Sequence, residues 1–504
     1  MPLPPDSAQF DIVVIGSGFG GSVTANRLAL AGQRVLVLER GPWRDSLPVR
    51  SMGVERRSPF PYGVKALTHL LHSLHRGRWD LRLNKAGMYE LFSFPGLNVL
   101  STSAVGGGSM AFGGLLEPPR EPAFWHDRHP QLDPASIERY YGKIRADMGG
   151  VRLVPEQTLP QSVWTHFPDA TGDRCHPADP QPCMALLLPP SPAEAGRTVT
   201  VSAGLERQYC AFDGDSFLGS RGGAKASVDF VYLAPVLGKG VTVRDLCRAN
   251  TIQPLRAADG AGYLVHFSDL TTGENAAVRA GRVVLAAGTM NSVRLLFTSS
   301  RMPSGLVPMP SLGRTFGGNG DLMAAWSRPT AAVSSFTSTP SQGAFEVDGH
   351  EAVSFGLGGF PGVQSLPLPM FVKRRLARMF FLYGMGADSG KAAVTFENDH
   401  LQLGYDHRKE AIYDAIRSGL RILASESGDK VRVLGKPLSV HPWGGACLGA
   451  DADHGVVDQR GEVYGNPGLY IADGAALPSA PGGPPSVAIA AWAHHVADGI
   501  AQSP

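Results

Sequence analysis

Residues 11–15 form an apolar, largely β-branched run that stops at Gly16, which predicts a strand buried on both faces. Residues 22–31 place Val23, Ala25, Leu28 and Leu30 at apolar positions and predict a helix that Gly32 ends. Residues 35–38 predict a second buried strand, closed by Glu39. Together these make a complete β-turn-α-β unit. From residue 42 to about 79 the chain is polar, proline-containing and irregular, and residues 140–148 predict a helix. Residues 175–192 are proline-rich and read as an excursion. Residues 222–233 lead into a strand at 241–243; a strand at 283–286 and a helix at 291–297 follow. Between about 301 and 430, alternating segments such as 392–396 and 401–403 suit an antiparallel sheet. The end returns to the opening pattern: a strand at 469–472, a turn at Asp473-Gly474 and an alanine-rich helix at 486–500. The halves of one dinucleotide pattern thus sit at opposite ends of the chain, so the domains are discontinuous. There are no internal repeats.

Composition narrows the class. A chain of 504 residues with 43% hydrophobic and 18% charged residues buries a sizeable core, in two domains or one large domain with insertions. The net charge of +2 supplies no field that steers toward nucleic acid. The 62 glycines and 40 prolines imply many tight turns, as where backbone wraps a large ligand. Cys175, Cys183, Cys210, Cys247 and Cys447 are widely spaced without a CxxC, which points to a reduced, cytoplasmic protein and no zinc. Residues 1–10 lack the basic start and apolar run of a signal peptide. No window approaches the roughly 20 apolar residues of a membrane span.

Gly16-x-Gly18-x-x-Gly21 follows a strand, opens a helix and precedes Glu39 by 18 residues. Gly16 permits the tight turn, Gly18 lets the backbone approach a pyrophosphate, and Gly21 lets the helix pack on the sheet. The helix start offers N–H groups to the phosphates, and Glu39 suits ribose hydroxyls while repelling a 2′-phosphate. The fingerprint alone leaves FAD and NAD both open. Gly106-Gly107-Gly108 is a second cluster: either a strip that passes flat under a planar ring or a flexible loop. His441, in His441-Pro442-Trp443-Gly444-Gly445, is either a base near neutral pH or a satisfied structural residue. His69, His72, His75, His494 and His495 lack matching acidic ligands and read as helix-surface residues, so no metal site is expected. Residues 369–381 read as an amphipathic helix with a solvated basic face, or else a lid or lipid-facing helix. The absence of GxSxG and HExxH argues against a serine hydrolase or zinc protease.

Several stretches, in this order, resemble the glucose–methanol–choline (GMC) oxidoreductases, and among them the bacterial cholesterol-oxidase-like branch. They are DIVVIGSGFGGSVTANRLALAGQRVLVLERG, SAVGGGSMAFGG, GGAKASVDFVYL, VVLAAGTMNSVRLL, LGRTFGGNGD, HPWGGACLGAD and GLYIADGAALPSAPGGPPSVAIAAWA. The resemblance implies an α/β fold with a discontinuous Rossmann-like domain holding FAD non-covalently, over residues 1–45, 95–118, 205–320 and 435–504. A substrate domain with a mainly antiparallel sheet and covering helices is then expected over 46–94, 119–204 and 321–434. By motif position Gly16, Gly18, Phe19, Gly20, Gly21, Glu39 and Arg40 serve the cofactor, with Gly106, Gly107, Gly108 and Ser109 along the flavin. Ala249 contacts the adenine end, Ala287 and Gly288 continue the cradle, and Asp473, Gly474, Pro485 and Ser486 lie toward the ribityl chain and phosphates. His441 resembles the family's active-site histidine beside flavin N5.

Two departures stand against that pattern. Pro484 occupies the position where the family carries an Asn or second His, and it has neither a side-chain acceptor nor an N–H. Phe112 replaces an Asn of the sterol oxidases. Their substrate-domain glutamate also has no assignable counterpart among Gln364, Glu346 and Glu351. Phe112, Trp443 and Pro484 are the candidate substrate-pocket residues. The expected activity is FAD-dependent oxidation of a CH–OH group on a hydrophobic sterol-, terpenoid- or polyketide-like molecule, with O2 or another acceptor reoxidising the flavin. The alternatives are a flavin-dependent tailoring reaction of another class and a flavin-binding protein without catalysis.

Overall fold

The computed structural model describes residues 10–152, 173–213, 217–256, 260–329, 334–337, 339–360 and 362–502. The expectation about the first ten residues therefore falls almost wholly outside the described ones.

β1 (Phe10–Ile15), α1 (Phe19–Leu30) and β2 (Val35–Leu38) form the opening unit. Ile12–Val14 and Val35–Val37 lose all contact with solvent, because parallel strands here are covered on both faces. The sheet continues through β3 (Val241–Arg244), β4 (Cys247–Pro254), β5 (Tyr263–Asp269) and β6 (Asn275–Leu285) in the order β3-β2-β1-β6-β5-β4. The late strand Leu469–Ile471 pairs parallel with the end of β6. β6 is longer than the apolar pattern predicts. Its first half pairs antiparallel with β5 and alternates between buried and open positions; only Val283–Leu285 enters the doubly covered parallel region and reads as an apolar run. α2 (Thr289–Ser300) follows it.

The closing helix, Ser486–Gln502, packs against α1. Its alanines allow close approach, and it is buried on nearly every side. This corrects the reading of His494: it is fully buried and stacks on Tyr140, with ring centroids 4.4 Å apart. Burial pushes its imidazole down to about 4, so it stays neutral at physiological pH. His495 is only partly buried, with Nε2 on the Gln459 carbonyl at 2.7 Å.

A second sheet lies later in the chain. It contains β7 (Leu322–Ser327), β8 (Gly343–Val347), β9 (Ser354–Gly358) and β10 (Met379–Met385). Behind it lies α3 (Ala411–Ser427), and β11 (Lys430–Val433) forms one edge. The order is β11-β7-β10-β9-β8, extended by Cys175–Pro177, with antiparallel pairing throughout. Leu322, Ala324, Trp326, Phe380 and Leu382 are buried on the face toward α3. Met323, Ala325, Phe381 and Tyr383 stay half-open on the other.

Three local expectations change. The 392–403 stretch forms a separate hairpin, Val394–Glu397 with His400–Leu403, rather than joining this sheet. The basic segment is helical only over Met370–Leu376, with no buried residue, and Met370 and Phe371 project into solvent. From Met379 the period-two pattern wins, because β10 finds a partner on each side. Finally, His72 and His75 lie on a strand, Leu71–Arg76, within a five-stranded sheet that includes the hairpin Tyr89–Ser93/Asn98–Thr102. His72 is buried and pushed down to about 3 by burial and by Arg40.

Candidate active site

The fingerprint turn is closed by its own backbone. Gly16 sits at φ +98°, and a Cβ there would overlap the Ala286 carbonyl. Side chains at Gly20 and Gly21 would strike the carbonyls of Ala472 and Gly16. Gly18 differs: its nearest neighbour in that direction is the Gly107 Cα at 3.9 Å. It begins α1 with no side chain capping the helix and no acid in the first turn. The first N–H groups of α1 therefore face an anion-ready space.

The second glycine cluster meets the first. Gly106 and Gly107 adopt φ +96° and +51°, and a Cβ on Gly107 would lie 2.6 Å from the Gly18 Cα. Gly108 faces open space. The Gly106 N–H donates to Ser17 Oγ at 3.1 Å, and Ser17 donates its N–H and hydroxyl to Glu39 Oε2 at 3.0 and 2.7 Å. Glu39 Oε1 accepts the Gly41 N–H at 2.7 Å. Burial holds this carboxyl above its usual range. Arg40 turns inward, with a two-pronged pairing to Glu90 at 2.7 and 2.8 Å. Ser109 donates to the Gly106 carbonyl and accepts from the Val228 N–H, so its hydroxyl braces the loop. Phe19 and Phe112 meet edge to face at 5.4 Å. Lys225 and Asp229 escaped the sequence reading, although both lie in a quoted motif. Lys225 is fully buried and donates to the carbonyls of Met110 and Phe112 at 3.0 and 2.8 Å. Asp229 is buried beside Gly106 and is pushed up to about 6 by desolvation.

The far side of the cradle converges on Asp473. Its carboxylate accepts from the Gly288 N–H at 2.8 Å, Ser292 Oγ at 2.6 Å and the Ala475 N–H at 2.9 Å. Burial raises this carboxyl as well. The Ala287 N–H donates to Ser292 Oγ, and Gly474 lies against Thr289 Oγ1, so Ala287, Gly288, Asp473 and Gly474 form one unit. Ala249 sits at a bulge between β4 and β5. Pro485 accepts the Ile489 N–H at the start of the closing helix, and Ser486 donates to the Leu115 carbonyl at 2.9 Å.

His441 is held by a residue the sequence reading did not single out. Asp321 is buried immediately before β7 and accepts four hydrogen bonds. Three come from Val440 N–H at 2.8 Å, His441 N–H at 3.0 Å and Ser439 Oγ at 3.3 Å; the fourth comes from His441 Nδ1, at 3.0 Å from Asp321 Oδ1. A carboxylate only accepts, so Nδ1 carries the proton and Nε2 presents its lone pair. Trp443 is placed differently from its expected pocket position. It is buried, and its indole N–H donates to Asp388 Oδ1 at 2.9 Å. Pro484 lies on a turn gripped by Asn319, which accepts the Gly482 N–H at 2.8 Å and donates to the Gly483 carbonyl at 3.0 Å. Phe112 and Pro484 are half-buried.

Similarity to known proteins coincides with these parts. Residues 405–493, which include His441, Asp473 and Pro484, match the GMC oxidoreductase C-terminal family model, and residues 14–68 match an NAD(P)-binding Rossmann-like domain. The chain is a GMC-like FAD-dependent oxidoreductase. A cholesterol oxidase of Mycobacterium tuberculosis is 26% identical, over 98% of this chain and 91% of its own length. A long-chain-alcohol oxidase of Arabidopsis thaliana is 22% identical, over 98% of this chain and 67% of its own length. A formate oxidase of Aspergillus oryzae shares the fold, with a TM-score of 0.61 at 14% identity over 99% of both chains. The GMC-like cradle fits FAD on its own geometry. The N-terminus of α1 is uncapped, and positions 108 and 288 have no atom within 4 Å of where a Cβ would stand. No described helix is long and apolar enough to cross a membrane.

Proposed function

We propose that the protein oxidises a CH–OH group of a hydrophobic small molecule. The observation that carries this reading is the fixed tautomer of His441, whose Nδ1 is spent on Asp321 so that Nε2 is the acceptor. FAD supplies the hydride acceptor when bound. The chain's own part is to orient the alcohol and move its proton: Nε2 takes the hydroxyl proton, and the buried Asp321 carboxylate stabilises the resulting imidazolium. The half-open sheet face supports an apolar substrate. Phe381 there meets Phe217 and Phe360 with centroids 5.4 and 6.1 Å apart, and the Tyr383 and Ser341 hydroxyls lie 3.0 Å apart. The alcohol and sterol named for the relatives are of this class.

The test is anaerobic mixing of the FAD-loaded protein with cholesterol or 1-dodecanol, followed at the flavin's visible band. Bleaching is expected. In Asp321→Asn an amide NH2 faces Nδ1 and favours the opposite tautomer, so bleaching slows by about 10²–10⁴-fold. An unreduced flavin with both alcohols overturns the reading.

A second reading, flavin chemistry of another class such as dehydrogenation beside a carbonyl, draws on the Asn319-gripped turn. That turn holds an inert pyrrolidine at Pro484. Turnover of an enone without alcohol-driven bleaching favours it.

A further inference from the structure

Asp388 lies 53 residues before His441 in the chain and is absent from every motif quoted above. Its buried carboxylate accepts three hydrogen bonds: the Trp443 indole N–H at 2.9 Å, the Gly318 N–H at 2.6 Å and the Tyr405 hydroxyl at 2.8 Å. Tyr405 is in turn 3.0 Å from the Tyr413 hydroxyl on α3. The space for this arrangement is purpose-cut. A Cβ at Gly317 would overlap both the Trp443 indole and the Asp388 carboxylate, and one at Gly390 would press on the same indole ring.

Two of the segments bonded to Asp388 are those that shape the site. Trp443 stands two residues after His441. Gly318 stands one residue before Asn319, which grips the Pro484 turn, and three before Asp321, which fixes the His441 tautomer. The short pairing of Phe316–Gly317 with Trp443–Gly444 joins the two segments directly.

We propose that Asp388 is a positioning residue that sets the relative placement of His441 and the Pro484 turn by clamping Trp443 and Gly318 together. The proposal rests on the alcohol-oxidation reading for its kinetic consequence, though not for the clamp itself. Desolvation pushes the Asp388 carboxyl up to about 6. The charged or titratable groups around it are Tyr405, Tyr413 and Glu410, with Asp321 beyond Tyr413 and His407 edge-on to the Tyr413 ring. Burial holds both phenols far above neutral pH, and Glu410 is engaged by Ser389. As the carboxylate, Asp388 accepts from all three donors. Of the three groups facing it, the Trp443 indole and the Gly318 amide can only donate, so the carboxylate is the form that holds both.

The experiment compares FAD-loaded wild type, Asp388→Asn and Trp443→Phe. The tryptophan emission that Trp443→Phe removes is expected to differ at pH 8 between wild type, where the indole N–H donates to a carboxylate, and Asp388→Asn, where it does not. At pH 8, Asp388→Asn is expected to slow flavin reduction by 1-dodecanol or cholesterol about 10²-fold, and Trp443→Phe about 10-fold. FAD content and apparent alcohol affinity should stay near wild type. Wild-type reduction rates in both variants overturn the positioning role. A Trp443 emission at pH 8 that is the same in wild type and Asp388→Asn also overturns it. If wild type itself is not reduced by either alcohol, the alcohol reading fails, and the emission difference between wild type and Asp388→Asn alone then decides the clamp.

Discussion

Single residues at this site are tuned by burial more than by surface charge. Asp229, buried beside the glycine strip, shows the sign of the effect. Its folded carboxyl titrates near 6 against an ordinary 3.8, so folding favours the protonated form. That contribution is complete below about pH 4 and is lost as pH rises through 6. Asp229→Asn removes the titration. Relative to wild type, its unfolding free energy should rise by up to about 3 kcal/mol between pH 4 and 7, measured by denaturant unfolding across that range. A pH-independent difference between the two proteins counts against the shift. Residue roles were unevenly legible in the sequence. His441 stands out because histidine beside a rigid turn is a familiar base. Asp321 lies inside a quoted motif, yet nothing in LGRTFGGNGD shows that its carboxylate turns toward a residue 120 positions later. Trp443 looked like pocket lining because large aromatics often are. Only the fold reveals the buried acid that takes its N–H.

Elements were most legible where one physical pattern acts alone. β1, α1 and β2 follow from a β-branched run, a helical period and a glycine turn, and all three form as read. Gly16 is the point where the turn cannot give: φ is +98° and the Ala286 carbonyl fills the place of a side chain. Gly16→Ala should cost about 3 kcal/mol or more and strip FAD from the purified protein, seen as loss of visible absorbance with the polypeptide still present. Retention of a full complement of FAD would falsify the assignment of this turn to the cradle. Elements were misread where two patterns overlap. Residues 369–381 carry helical charge spacing at the start and strand alternation at the end, and tertiary pairing divides them. His494 looked superficial because an exposed histidine is common; the closing helix is instead buried on nearly every side, and the ring stacks inside it.

At the scale of the whole molecule, a buried ion network ties the dinucleotide sheet to the five-stranded sheet beside it. Glu90 pairs with Arg40, accepts from Asn291 at the start of α2 and meets His75 Nε2 at 2.8 Å, which in turn faces Asp80. Burial opposes its charge, but Arg40 and the His75 hydrogen bond outweigh burial and hold its carboxyl well below the usual range. Glu90→Gln leaves Arg40 charged and unpaired, and should destabilise the protein by about 3–5 kcal/mol in urea unfolding. Replacing Arg40 as well should recover part of that loss, since no lone buried charge then remains. None of this network was visible in the sequence, because its members come from four separate segments.

The pairing of α1 with the helix Ser486–Gln502, and of β6 with Leu469–Ile471, also fixes an order of events during synthesis. The fingerprint leaves the ribosome more than 400 residues before the surface that covers α1 is made. At 5–20 residues per second the nascent chain carries that uncovered apolar face for roughly 20–90 s. The cradle can therefore close only after the helix Ser486–Gln502 has been made.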